Sequence, residues 1–206
     1  MEGALPLRQP RIRAWAPVAS TSPAQFAGPM LNRMNGALEE AFRAHAWATR
    51  RLLEFCQELT PEQVASGRND ATGWSILQTL THLVSADGYY VGTLDGSGRP
   101  VPKWNDDHDP PWDLDALRER SARLAGLWEA YLKSADDAER LVLLDAGTFE
   151  CRAGVIVAHA LHHGDLHREQ VCSILRRLGL EPPDLQPWEY ALDNARARFV
   201  EAAQPG

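Results

Sequence analysis

The sequence predicts an all-α protein, namely an up-and-down four-helix bundle with an additional C-terminal helix. Two observations support this prediction. Apolar residues recur at every third or fourth position through four long segments, which is the period of a helix with one buried face. Gly, Pro, Asn and Asp cluster between these segments, where they favour turns. A short stretch at 141–144 is the one candidate for an extended segment.

The composition is that of a globular protein and disfavours several classes of partner. Its 206 residues are enough for one domain. The formal net charge is -7 without a block rich in Lys or Arg, so neither nucleic acid nor an anionic membrane is an expected partner. No apolar run reaches the ~18 residues that suggest a membrane span. The cysteines Cys56, Cys151 and Cys172 form no CxxC pair, which indicates a reducing, cytoplasmic environment.

The first part of the chain divides into an extension and a helix. Residues 1–30 are rich in Pro, Ala and Ser, which predicts a disordered N-terminal extension before a bundle domain at 31–206. The first helix is predicted over 31–59, where apolar residues such as Phe42 recur with the helical period. The Thr-Pro pair at 60–61 ends or restarts this helix.

Two further helices follow, separated by a long loop. The second is predicted over 74–94, and residues 95–111 form a loop rich in Gly, Pro and Asp. The third helix is predicted over 113–135. Its residues expected to pack inward are Leu117, Leu124, Leu127, Trp128 and Tyr131.

The C-terminal part contains the fourth long helix. After the extended segment, a turn is predicted at 145–147, and a helix at 153–178. Gly179 is a typical helix-ending residue, and two prolines follow it. A last helix is predicted over 188–202.

Four of the seven histidines lie within the fourth helix, in the segment HALHHGDLHREQ. His159, His163 and His167 are spaced four residues apart, which places them on one helix face. Two histidines with this spacing can bind one metal ion. The metal-binding pair can be either His159 with His163 or His163 with His167, because the spacing is the same for both pairs. His162 is rotated by about 100° from His163 and points elsewhere.

A metal site with three protein ligands requires a histidine from another helix. His82 is the candidate, because it lies within the apolar run LTHLV of the second helix. A histidine in the interior must be hydrogen-bonded, paired with an acid or bound to metal. His45 of the first helix can line the same interior, as a pocket residue rather than as a ligand.

Two motifs, in this order, resemble the DinB/YfiT-like superfamily. The first is GWSILQTLTHLVSADGYY, and the second is HALHHGDLHREQV, followed by a Leu-Gly pair and a double proline. The resemblance covers about residues 31–192. It implies a four-helix bundle with a metal site formed by His82, His163 and His167, so that His159 is a neighbour. The glycine that usually follows the arginine of this motif is Glu169 here, which predicts altered helix or dimer contacts there.

The resemblance also implies a function. The expected protein is a metal-dependent transferase or isomerase that uses a low-molecular-weight thiol of the mycothiol or bacillithiol type. The alternatives are a metal-dependent hydrolase and a non-catalytic stress-response bundle that binds metal or a small molecule. Zn, Ni and Fe all accept three imidazoles. We expect a small-molecule substrate and a homodimer.

Three side chains near the predicted ligands are candidates for a catalytic or supporting role. Arg168 and Gln170 follow the last ligand and can bind a substrate carboxylate or support a ligand. Asp87 lies five residues after His82 and can accept a hydrogen bond from a ligand histidine. Asp165 lies between the two ligands of the fourth helix but is expected to point away from them.

Overall fold

The computed structural model describes residues 27–95, 112–134 and 136–200. Residues 1–26 of the predicted extension and 96–111 of the predicted loop, with His108, lie outside this part. The helices are α1 (Ala27–Gln57), α2 (Pro61–Ser66), α3 (Ile76–Leu94), α4 (Leu114–Lys133), α5 (Ala153–Arg177) and α6 (Pro187–Asp193). The strands are β1 (Leu141–Leu144) and β2 (Phe149–Arg152). No helix in the described ranges is long and apolar enough to cross a membrane.

The predicted four-helix bundle is confirmed, and its four long helices are α1, α3, α4 and α5. α1 packs against α4 and α5, and α3 packs against the same two helices. The order around the bundle is therefore α1, α4, α3, α5. As a result, α1 lies diagonally opposite the next long helix, α3, and α4 lies diagonally opposite α5. The additional C-terminal helix α6 packs on α1. The centre of the bundle consists of buried side chains that include Leu52, Leu53, Ile76, Leu80, Leu117, Ile174 and Leu175.

Two connections span the bundle from one long helix to the next. The chain passes from α1 to α3 through the short helix α2, which begins at the Thr-Pro pair predicted to end or restart the first helix. Thr60 begins α2 with a capping box, because its hydroxyl accepts from the Gln63 N–H and Gln63 Oε1 accepts from the Thr60 N–H. The chain passes from α4 to α5 through an antiparallel pair of strands, β1 and β2. Such crossover connections allow non-adjacent helices to be consecutive in sequence.

The strand pair confirms the extended segment at 141–144 and adds a second strand that was not predicted. Leu141 pairs with Arg152, and Leu144 pairs with Phe149. A 3-10 turn over Asp145–Gly147 joins the strands, and Gly147 has a φ of 85° there. The second strand leads directly into α5, whose first residues donate backbone hydrogen bonds from Ala153 N to Arg140 O and from Gly154 N to Ala138 O.

Two predictions about helix residues are wrong. Leu127 was expected to pack inward, but it is 53% exposed, whereas Leu124 and Trp128 are buried. One residue of difference rotates a side chain by about 100° on a helix, which moves Leu127 off the buried face. The last helix ends at Asp193 rather than near 202, and Ala195 follows with a φ of 54°. A left-handed residue at this position ends a helix.

Candidate metal centre

Three histidines from two helices converge in the bundle. His82 comes from α3, and His163 and His167 come from α5. One ring nitrogen of each lies within 4.8 Å of those of the other two. The Nε2 atoms of His82 and His163 are 3.0 Å apart. The ring centroids of the three pairs lie 4.3 to 5.0 Å apart.

The local sequence explains why these side chains meet. Ser75 begins α3 with a capping box to Gln78, which fixes the start of the helix and therefore the position of His82 two turns later. The indole of Trp74 packs on the imidazole of His82, with ring centroids 4.9 Å apart. On α5, the spacing of four residues stacks His163 and His167 on the face that packs against α3.

The donor set fits a divalent transition metal. Neutral imidazole nitrogens bind zinc at about 2.0–2.1 Å, which in a tetrahedral arrangement separates two ligand nitrogens by about 3.3 Å. The separation of 3.0 Å between Nε2 of His82 and Nε2 of His163 is close to this value. Three protein ligands leave at least one coordination position for another molecule.

Gln170 orients one member of the cluster. Its Oε1 atom lies 2.7 Å from Nδ1 of His167, and an amide oxygen can only accept. Nδ1 of His167 therefore donates the hydrogen bond, and Nε2 keeps its lone pair for a ligand bond. This support of a ligand by a second residue is a common feature of metal sites. Gln170 thus contacts one of the three predicted ligands.

The protein environment keeps His163 in the neutral form. Burial is the main cause that lowers the pKa of His163 to about 3, and the neighbouring imidazoles of His167, His82, His159 and His45 contribute to this value. Only the neutral form of imidazole can bind a metal ion. At neutral pH a metal ion therefore has no proton to displace from His163.

The lowered pKa of His163 predicts a pH-dependent stability for the metal-free protein. The unfolded chain binds a proton at His163 near pH 6.5, whereas the folded chain does so only near pH 3. The free energy of unfolding should therefore fall as the pH decreases from 6.5 towards 3, by up to about 1.4 kcal/mol per pH unit. Urea unfolding at pH 7, 6, 5 and 4 measures this slope. His163→Gln should reduce it, whereas His162→Gln, an exposed neighbour, should not; equal slopes in all three proteins would contradict the prediction.

The remaining histidines of α5 lie outside the cluster. His159 does not belong to the group of converging nitrogens, and its Nε2 atom is hydrogen-bonded to the Tyr90 hydroxyl at 3.1 Å. Of the two possible pairs on α5, it is therefore His163 and His167 that lie close to His82 of α3. His162 is exposed.

A second polar cluster lies inside the bundle, between α1, α3 and α5. Arg168 is 4% exposed, and its guanidinium donates to Thr49 Oγ1 at 2.8 Å and to Asp165 at 2.6 Å. The same guanidinium lies 3.3 Å from Nδ1 of His45. His45 is buried, and its Nε2 atom lies 3.7 Å from Asp87, which accepts a hydrogen bond from the Trp128 indole at 2.8 Å.

This second cluster was not predicted as a unit, although Arg168, Asp87 and His45 were each singled out. Its members are far apart in sequence, and a close approach between helices brings them together. A methyl group at Gly164 would overlap the imidazole of His45, so a glycine is required there for α1 to approach α5. Asp165 is exposed and turned towards the guanidinium, in agreement with the prediction that it points away from the ligand pair. Glu169 is also exposed and pairs with Arg176.

A cavity of about 410 Å³ adjoins the histidine cluster. His82 lies in its wall, together with residues of α3, the strand pair and the first turns of α5. The other lining residues are Ser85, Ala86, Tyr89, Tyr90, Leu144, Asp145, Phe149, Cys151, Val155, Ile156 and His159. The volume falls in the range of about 300–1,000 Å³ that is typical of small-molecule sites. Arg168 lines cavities on the other side of α5.

Comparisons with known proteins agree with this architecture. The model of the DinB family matches residues 30–197. The solved structure of YfiT from Bacillus subtilis is similar to this chain with a TM-score of 0.51 and 17% sequence identity. The similarity covers 81% of this chain and 95% of YfiT, which is described as a probable metal-dependent hydrolase with an unusual four-helix bundle topology. No curated protein matches the chain significantly.

Proposed function

The chain belongs to the DinB family, and from this premise we propose that it is a metal-dependent enzyme whose divalent ion is held by His82, His163 and His167. The observation that supports this proposal is the convergence of three imidazole nitrogens beside a cavity large enough for a small molecule. Zinc, nickel and ferrous iron all suit such a donor set.

When bound, a divalent ion at three imidazoles acts as a Lewis acid and lowers the pKa of a water or thiol that it binds. The protein contributes the arrangement around it. Gln170 holds the His167 ring in the tautomer that presents Nε2 to the cluster. Burial keeps His163 neutral. The apolar side chains of the strand pair and of α5 line the cavity beside the site.

We propose further that the attacking group is an external thiol of the mycothiol or bacillithiol type, so that the protein is a transferase or isomerase. The protein's own described cysteines are poor nucleophiles. Burial raises the pKa of Cys56 to about 12 and that of Cys172 to about 11, and burial also raises the pKa of Cys151, which lines the cavity. In the proposed transferase or isomerase reaction, the thiolate therefore comes from a second substrate rather than from these cysteines. The rival candidate is a hydrolase, favoured by the description of the structurally similar YfiT.

Metal analysis of the full-length protein, purified without chelator, tests the metal site. We expect about one divalent ion per chain in the wild type and a loss of more than about 90% of it in His163→Ala, because two imidazoles do not hold a metal ion tightly. His162→Ala is the matched control, since it removes an exposed histidine from the same helix. A wild-type protein that takes up no Zn, Ni or Fe(II), or equal metal content in both variants, would refute the proposal.

The nature of the nucleophile can then be tested with two substrates. With 1-chloro-2,4-dinitrobenzene and bacillithiol, a carbon–sulfur bond forms as the carbon–chlorine bond breaks, with release of chloride and of the thiol proton. A thiol-dependent rate that is lost in His163→Ala but kept in His162→Ala supports the transferase. Hydrolysis of 4-nitrophenyl acetate without thiol, with the same dependence on His163, supports the hydrolase instead.

We also propose that the protein acts as a homodimer in the cytoplasm on a small molecule, without a nucleic-acid partner. The three described cysteines are free, which supports a reducing compartment. The net charge of -7 opposes binding to nucleic acid.

A further inference from the structure

We propose that the cavity beside the histidine cluster binds an uncharged, mainly apolar substrate that carries an oxygen acceptor, and that the Tyr90 hydroxyl hydrogen-bonds this oxygen. This inference rests on the proposed function, because it takes the histidine cluster as the place where the reaction occurs. It concerns a different property, namely which class of molecule the cavity selects.

The lining of the cavity favours an uncharged molecule. Leu144, Phe149, Val155 and Ile156 provide apolar walls. Within the described ranges, the lining contains no Lys or Arg, and Asp145 is its one carboxylate. In the metal-free protein, a carboxylate or phosphate would lose part of its hydration in this cavity without gaining a cationic partner from the described lining, which is unfavourable.

Tyr90 lies between the cavity and the predicted metal ligands. Its ring contacts the His163 ring edge-on, with centroids 5.5 Å apart. Its hydroxyl lies 3.1 Å from Nε2 of His159, which also lines the cavity. A phenol can donate one hydrogen bond and accept others, so a single bond to His159 leaves capacity for another. If Nε2 of His159 donates, the Tyr90 hydroxyl can donate to a substrate oxygen beside His163.

The neighbouring Tyr89 serves a different purpose. It lines the same cavity, but its hydroxyl accepts a hydrogen bond from the backbone N–H of Asp145 at 2.8 Å. This bond attaches the turn between the two strands to α3. Tyr89 is therefore a matched control for Tyr90, because both are tyrosines of one helix and one cavity, with hydroxyls in different environments.

The test uses three probes of similar shape: 2-acetylnaphthalene is a neutral ketone, 2-ethylnaphthalene lacks the oxygen, and 2-naphthoate is an anion. Their dissociation constants are measured by equilibrium dialysis with the full-length protein, both zinc-loaded and chelator-treated. We expect the chelator-treated protein to prefer the ketone to the anion by at least about 10-fold. Tyr90→Phe should weaken ketone binding by about 3- to 10-fold and leave 2-ethylnaphthalene binding unchanged, because the ring remains and one hydrogen bond is lost.

Tyr89→Phe should leave the ratio of the two neutral affinities unchanged. Ala86→Phe, which fills part of the cavity, should abolish binding of both neutral probes. The proposal is overturned if neither neutral probe binds, or if Ala86→Phe still binds them. It is also overturned if Tyr90→Phe weakens the binding of both neutral probes equally, or of neither. The same holds if 2-naphthoate binds the chelator-treated protein as tightly as the ketone does. A protein that takes up no zinc would refute the metal-dependent function, whereas the probe affinities would still decide the character of the cavity.

Discussion

We expect zinc to raise the free energy of unfolding of the protein by about 4 kcal/mol when the free ion is at about 1,000 times its dissociation constant. The folded chain brings three imidazole nitrogens within 4.8 Å of one another, although His82 and His163 are 81 residues apart in sequence. The unfolded chain does not hold these residues together. A ligand that binds only the folded state stabilises it by mass action. For a chain of this length, about 4 kcal/mol corresponds to an increase of about 8 to 16 °C in the melting temperature.

Thermal unfolding with and without zinc, at pH 7, measures this effect. His163→Ala should unfold at nearly the same temperature in both conditions, whereas His162→Ala should keep the full increase of the wild type. A zinc-induced increase of the same size in both variants would show that the ion binds elsewhere. Nickel and iron, tested in the same way, would rank the three metals that this donor set accepts.

The helical fold could be predicted because each long helix carries its own signal. Apolar periodicity and end signals such as Gly179 are local properties of the sequence, and Gly179 acts as predicted: it follows the end of α5 with a φ of 77°. Ser75, which was not predicted as a cap, begins α3. The row of histidines on α5 is also local, because a spacing of four residues fixes one face. The grouping of His82 with His163 and His167 required the family resemblance, since spacing within α5 did not distinguish its two possible pairs.

The second strand and the short helix α2 were not predicted. The strand Phe149–Arg152 does alternate apolar and polar residues (FECR), but four residues are too few to separate a strand from a turn, and its burial does not follow the alternation, with three exposed residues and one half-buried. Its partner strand stabilises it through backbone hydrogen bonds, and these do not depend on which side chains the two strands carry. The short helix α2 did have a signal, the Thr60–Gln63 capping box, within a stretch otherwise typical of a loop.

The contacts of Arg168 could not be predicted from the sequence. They suggest two ways in which this buried arginine can stabilise the fold, namely as half of an ion pair or by filling space between helices. Its exposed partner Asp165 contributes little if the side chain acts as half of an ion pair, because a solvated ion pair is worth about 0–1 kcal/mol. The buried stem and the hydrogen bond to Thr49 matter more if the side chain fills space between α1 and α5. Burial lowers the pKa of Arg168, so the charge itself is not favoured there.

We therefore expect Arg168→Ala to lower the free energy of unfolding by about 3 kcal/mol, as for other large-to-small changes at buried positions. Arg168→Met keeps most of the stem and should cost only about 1 kcal/mol, the value of a hydrogen bond. Asp165→Asn should cost less than about 0.5 kcal/mol. Urea unfolding of the metal-free proteins gives all three values. If Asp165→Asn were as destabilising as Arg168→Ala, the ion pair would dominate; if Arg168→Met were as destabilising as Arg168→Ala, the polar contacts with Thr49 and His45 would outweigh the packing of the stem.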